Sequence, residues 1–423
     1  MRRVPLALAG LLGAAALALA PSAWAATWSA PVRVTPSDRA SYGSASVAAG
    51  PGGAALAAWV RTPAGASSAA GRVQVAARPP GRGWGSARTM SGPGVSLTRV
   101  ALNARGDAAA VWRNGRLIVA AVRHGPAGPW RPGRVAEAVA PVQDLAVALD
   151  RRGRATAAWI ERLGEGFQVR LATADAAGSE WSVRGARLST PGPEPPSLAL
   201  SPGRGALAAW VDDGRVLTSR TVAGAFERPV EMSDADGASA GAALGGSGSA
   251  LVSWSVLLPG GTRVLQAAGR PAAAPRWSAP EDVGIGGVPV VAVNGVGDAV
   301  VAWATGTTGG DQSVEASTRR KGGLWRASTV VALRRCECAL SASAAGVDGV
   351  GQAVVSWRRD DGDADDGGAA AALAPDGDRW EAAPIPGGRA AGPPAVATAP
   401  TEGIGVAWSV AGPGGGVRAA QTR

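Results

Sequence analysis

Eight times along the 423-residue chain a tryptophan closes a short run of small apolar residues, at Trp59, Trp112, Trp159, Trp210, Trp254, Trp303, Trp357 and Trp408. Successive markers lie 53, 47, 51, 44, 49, 54 and 51 residues apart. A period this regular is the signature of one supersecondary unit copied in tandem, because each copy must stack on its neighbours to bury its apolar face. That constraint excludes a single doubly wound sheet or a helical bundle before any other residue is considered.

The sixth copy is the clearest. Pro289-Val290-Val291-Ala292-Val293 predicts a strand, Asn294-Gly295-Val296-Gly297 a turn, and Asp298 to Trp303 a second strand ending on the marker. Ser313 to Arg319 predicts a third strand and Leu324 to Thr329 a fourth, joined by Lys321-Gly322-Gly323. Short strands punctuated by glycine turns form an antiparallel meander; its strands are called A to D. Gly stands six residues before the marker in six copies, and Asn, Asp or Ser nine before it in five. These residues suit a tight A–B turn, since Gly supplies positive φ and Asn, Asp and Ser bond their own backbone.

A second aromatic series, Trp28, Trp84, Trp130, Trp181, Phe226, Trp277, Trp325 and Trp380, marks strand D. With Trp24 the two series account for all 16 tryptophans, which predicts core anchors rather than exposed stacking platforms. Trp28 precedes every A, B and C strand, and Val417 to Arg423 predicts a strand C with no D after it. The first segment thus supplies what the last unit lacks, and a ring closed by its two ends accounts for this offset. Alternation along strand B places Ala299, Val301 and Trp303 on one face and Val300 and Ala302 on the other. Both faces are apolar, so the sheet is covered on both sides. The residue before each marker is Ala, Ser or Val, which predicts a large-into-small fit between neighbouring sheets.

Four-stranded repeats of this length resemble a β-propeller. The expected fold is all-β: one eight-bladed β-propeller over residues 26–423, closed by the N-terminal strand pairing with the last blade. Its glycine turn leading into a Trp-marked strand is similar to the secreted sialidase-like, Asp-box propellers. The Ser-x-Asp-x-Gly-x-x-Trp box itself is missing, since Gly297 and Trp303 are six apart and no copy has the Ser-x-Asp lead. That resemblance implies three arginines on a carboxylate, a Tyr nucleophile backed by Glu, and an Asp acid/base. The sole tyrosine, Tyr42, is the one nucleophile candidate, and Arg33-Val34-Thr35-Pro36 is a poor echo of the family's Arg-Ile-Pro opening. No catalytic residue is assigned on that basis.

Residues 1–25 predict a secretion signal: basic Arg2 and Arg3, an apolar stretch from Val4 to Ala20, and the small-x-small pattern Ala23-Trp24-Ala25. The expected destination is extracellular, with no membrane span in the mature chain. Removing Arg2 and Arg3 reduces the 42 basic residues to 40, against 32 acidic ones. The excess is scattered Arg, without the clustered Arg and exposed aromatics of a nucleic-acid surface, and nucleic acid is not expected as a partner. Cys336 and Cys338, the only cysteines, form a candidate local disulfide, which export permits.

In such a ring the B–C and D–A loops share one face and carry the length variation. Binding residues concentrate on loops held by a rigid scaffold, so this face is the expected site. Arg61, Arg113, Glu161, Asp212 and Arg359, just past the markers, form a candidate polar collar at the channel mouth. Asp361, Asp363 and Asp365 alternate as hard-cation ligands do, although Asp366 interrupts the usual calcium-loop pattern. Calcium is the one candidate cofactor; otherwise none is expected. His124, the only histidine, reads as a surface residue without a partner. The function expected is an exported, monomeric, non-catalytic propeller binding a glycan, a cell-envelope component or a protein. The alternatives are a secreted sialidase-like glycoside hydrolase and a structural interaction scaffold of the cell envelope.

Overall fold

The computed structural model describes residues 28–192, 194–222, 224–233, 236–306, 310–335, 339–360, 367–373, 379–382, 394–399, 403–410 and 416–422. It is all-β, 61% strand and 2% helix, and forms a β-propeller of seven blades, which corrects the expected eight. Hydrogen bonding joins the strands into eight sheets, so the tryptophan markers count sheets and the two numbers differ. The outer edges of these sheets are unequal. Those of the first and last sheets, Arg88–Thr89 and Val32–Arg33, are two residues long. The fourth is divided between Ala225–Phe226 and Val230–Ser233. A repeat marked by one residue of strand B cannot register such differences.

Strand A of each sheet lies beside strand A of the next. The succession runs Ser41–Ala49, Val95–Leu102, Val142–Leu149, Ser197–Ser201, Gly237–Leu244, Val290–Val293, Ala339–Val347 and Ala395–Thr398, and the last neighbours the first. These strands ring the axis. Closure follows the phase offset in the sequence: Val32 pairs with Ala419, Arg33 with Arg418, and Trp28 bridges to Thr422. Side chains reinforce the seam, with Val417 N–H donating to Thr35 Oγ1 at 3.2 Å and Gln421 N–H to Ser29 Oγ at 3.0 Å.

The cores lie between sheets, and each marker is buried in a core of its own. Trp112 packs on Ala58, Val73 and Val75 of the preceding sheet, Trp210 on Ala158 and Ile160, and Trp357 on Ala302 and Val314. Trp59 closes the circle against Ala407, Val417 and Ala419. All eight markers are buried, Trp357 the least so at 8% exposed. The small residue before each marker makes room for the next sheet's indole. At Trp303 the preceding sheet's outer edge gives way too, since a Cβ at Gly284 or Gly286 would overlap its ring.

Strand D includes its aromatic at Trp181, Phe226 and Trp380, as the sequence predicts, but starts later in four other sheets. In the sixth sheet it spans Thr329–Arg335, and Trp325 precedes it. Trp84, Trp130 and Trp277 likewise lie ahead of Arg88–Thr89, Arg131–Glu137 and Glu281–Ile285. These aromatics are half-buried and turn inward from the rim, and the ladder becomes regular only past a bulge, between Val314 and Glu315 in the sixth sheet.

The A–B turns do more than reverse the chain. Asn103 Oδ1 accepts the Arg105 and Asp107 N–H groups, while its Nδ2 donates to the Asp150 carbonyl of the next sheet at 2.9 Å. Asn294 repeats this with the Asp348 carbonyl at 2.7 Å, and Asp348 Oδ2 in turn accepts the Gly403 N–H at 2.9 Å. Ser201 Oγ reaches the Gly245 carbonyl at 2.8 Å. The polar turn residues therefore fasten one sheet to the next.

Candidate functional site

The collar residues stand at the B–C ends of their strands, but on different faces and in different surroundings. Strand alternation explains this: Arg61, Glu161, Asp212 and Arg359 lie two residues after their markers and share the indole's face, whereas Arg113 lies one after and points the other way.

Arg61 belongs to a cluster that joins the N-terminal crossing segment to the first sheet. Its Nε and Nη2 donate to Asp38 Oδ2 at 3.0 and 2.6 Å. Tyr42 Oη donates to Asp38 Oδ1 at 2.6 Å, and the Ala40 N–H at 3.0 Å. Partial burial opposes the charge on Asp38, but the Tyr42, Arg61 and Ala40 donors outweigh it and hold the carboxyl below the usual range. Burial, and then the bond to Asp38, raise the Tyr42 hydroxyl above its ordinary pKa. Tyr42 is 3% exposed and Arg61 and Asp38 about a third exposed, so the ion pair caps a buried ring.

Glu161 is fully buried and does not face the channel mouth. It accepts the Val139 N–H at 3.1 Å, Arg170 Nη1 at 3.2 Å and the indole N–H of Trp159, and the Arg170 guanidinium lies 5.2 Å from that ring's centroid. The structure places Glu161 in the core, whereas Arg61, Asp212 and Arg359, at the same spacing from their markers, remain part-exposed. Arg113 is held by Ser96 Oγ at 2.7 and 2.9 Å and by the Val142 carbonyl. Asp212 is half-buried, with no side-chain hydrogen bond among the described residues. Arg359 is half-buried in its strand opposite Leu340 and Gly367. No bond joins any two of Arg61, Arg113, Glu161 and Asp212.

Asp361, Asp363 and Asp365, and Cys336 and Cys338, lie outside the described residues. Among the described residues no group of three or more His, Cys, Asp or Glu could hold a metal ion. No helix there is long and apolar enough to cross a membrane. His124 does have a neighbour: Nδ1 stands 3.9 Å from Asp107 Oδ1, which also accepts the Gly125 N–H at 2.7 Å. The sequence hid this contact because Asp107 and His124 meet only when the A–B and C–D turns of one sheet come together.

An arginine stands six or seven residues before the strand-D aromatic in five copies, at Arg78, Arg123, Arg220, Arg270 and Arg319, a spacing that suits stacking of the guanidinium on the ring. Arg123 over Trp130 and Arg319 over Trp325 stack in this way, at 5.1 and 4.7 Å. Arg78 instead bonds the Arg82 carbonyl and Gln421, and Arg270 the Ala274 carbonyl and Glu227. A depression of about 510 Å³ opens at the A–B and C–D end of the third sheet, between Arg152, Arg154, Asp175 and Glu180. That is the end opposite the variable loops.

No protein-family model matches the chain, and no curated protein does. Solved structures are similar to the chain at low identity. An ulvan lyase of a polysaccharide lyase family, bound to a GlcA–Rha3S repeat, is 11% identical, with 92% of this chain and 95% of that one covered and a TM-score of 0.43. A Hadza microbial sialidase is 12% identical over 93% of this chain and 68% of its own, with a TM-score of 0.36. A family 117 glycoside hydrolase from Zobellia galactanivorans is 12% identical over 51% and 83%, with a TM-score of 0.30. Likeness at this level decides neither fold nor role, and the propeller is read from the chain's own sheets.

Proposed function

We propose that the chain is exported under the direction of residues 1–25 and acts outside the cell as a monomeric, non-catalytic propeller that binds a glycan through the face carrying the B–C and D–A loops. The observation that supports binding over sialidase-like glycoside hydrolysis is the state of Tyr42. The only tyrosine is buried, its hydroxyl is committed to Asp38, and that carboxylate is neutralised by Arg61. A nucleophile needs a free hydroxyl and a base able to take its proton, and an Asp held by two Arg hydrogen bonds is a weak base. The remaining collar residues stand on separate sheets, and no hydrogen bond joins Arg113, Glu161 and Asp212 to one another. The test pairs a glycan array with a chromogenic glycoside panel on the purified chain. Specific retention without turnover is the expected result; turnover of a sialoside that is lost in Tyr42→Phe overturns the proposal.

A further inference from the structure

Two of the strand-C arginines find a carboxylate on the outer edge of the preceding sheet. Arg319 Nη1 of the sixth sheet lies 3.1 Å from Glu281 Oε1 of the fifth, and Arg270 Nη1 of the fifth lies 3.0 Å from Glu227 Oε2 of the fourth. Arg319 also covers Trp325, so its guanidinium sits between an aromatic face and an acid from the neighbouring sheet.

Arg123 occupies the same place in the second sheet. It pairs across the ladder with Ala108, four residues before Trp112, as Arg319 pairs with Ala299, four before Trp303. It covers Trp130 as Arg319 covers Trp325. The acid, however, is absent. Glu281 pairs with Ala267, the partner of Ser253 beside Trp254. The residue at that register in the first sheet is Arg88, which pairs with Val75, the partner of Ala58 beside Trp59. A second arginine thus stands where the sister interface places a glutamate.

The consequence for Arg123 is a guanidinium 9% exposed with no hydrogen bond or ion pair, its Nε shut off from solvent without a partner. Asp107 acts on it through space, but its oxygens are bonded to Asn103 and the Gly125 N–H. Arg88 is exposed, and its side chain has no hydrogen bond or ion pair either. Trp130 belongs to the core between the first and second sheets, beside Met90, so the arginine resting on it sits at that seam. Buried donors without an acceptor are costly, and a bidentate carboxylate is the group that arginine geometry fits best.

We propose that the outer seam between the first and second sheets is a carboxylate-binding site, in which a uronic-acid residue of a glycan supplies through Arg123 and Arg88 the acid that Glu281 supplies to Arg319. This rests on the glycan-binding reading and adds to it the class of sugar and a second location, at the rim rather than at the variable-loop face.

The full chain is titrated with an oligogalacturonate, with the matching neutral galactose oligomer, and with a short polyglutamate peptide, by calorimetry. Binding of the uronate, weakened about ten- to a hundredfold in the neutral sugar as expected for loss of charge-assisted bonds, supports the site. Arg88→Glu places the missing acid in the chain itself, so it abolishes uronate binding and raises Tm. Because Arg88 is an exposed edge residue, this variant folds. Glu281→Arg transplants the arrangement and adds a second equivalent of bound uronate. Uronate binding unchanged in Arg88→Glu overturns this site while leaving the glycan-binding reading intact. Equal binding of the neutral sugar, or binding of the peptide alone, overturns the ligand assigned here. Failure of every glycan on the array overturns the underlying reading.

Discussion

At the scale of single residues, stability rests on the fit of each indole. Trp303 is fully buried, and its Nε1 donates to the Ile285 carbonyl at 2.9 Å. Trp303→Ala should cost about 3–5 kcal/mol, the range for emptying a large aromatic site, measured by denaturant unfolding. Gly284→Ala tests the same contact from the other side. Its methyl meets an indole that cannot retreat, so a loss of about 1–3 kcal/mol is expected, and equal stability would show that the edge strand yields. The tryptophans and their small neighbours were legible as core because size alternation survives in a linear sequence. The burial of Glu161 was not legible, because Arg61, Asp212 and Arg359 share its spacing and stay part-exposed. Its partners Val139, Trp159 and Arg170 meet it only in the folded sheet.

The Asp38 cluster adds a pH signature. Its depressed carboxyl means that the stabilisation is fully present above the ordinary carboxylate range and is lost as the pH falls through the folded-state value. The Tm gap between the native chain and Asp38→Asn should therefore be constant near neutrality and close below about pH 4. A gap that persists under acid would mean that the charge on Asp38 contributes nothing.

Among elements, the A–B turns carry an unexpected share of the assembly. Asn294 and Asn103 each close their own turn and bond the next sheet's backbone. Asn294→Ala leaves the Asp348 carbonyl and the turn N–H groups unpaired, which should cost about 1–3 kcal/mol. Asn294→Asp keeps the turn acceptor, removes the donor to both the Asp348 carbonyl and Asp298 Oδ2, and sets a second carboxylate against Asp298, so it should lose at least as much stability as Asn294→Ala. A smaller loss than in Asn294→Ala would show that the turn acceptor outweighs the inter-sheet bond. The sequence announced the turns through Gly and Asn spacing. It did not announce the clasp, because the acceptor lies 54 residues away and is a main-chain carbonyl with no residue preference. In four sheets strand D was misplaced for a related reason: its aromatic marks entry into the core, and the ladder begins after it.

For the whole molecule, the crossing segment decides whether the ring is one cooperative unit. Removing residues 28–35 strips the last sheet of its outer strand and of the bonds from Ser29, Val34 and Thr35. In a circular array every sheet has two neighbours, whereas an opened one has two frayed ends. The truncated chain should lose single-transition melting, with fluorescence and circular dichroism no longer coincident. Coincident transitions at an unchanged Tm would show that closure is dispensable.

The sequence by itself determined the repeat, the antiparallel meander, the alternation of large and small core residues and the joining of the two ends, because each is written in periodicities shorter than one unit or in the phase between them. The tertiary structure alone decided the blade number, the burial of Glu161, the Asp38–Arg61 cap over Tyr42, and the pairing or orphaning of rim arginines. Those depend on which side chains from different copies come within about 3 Å of each other, the range of a hydrogen bond, and no linear spacing encodes that distance.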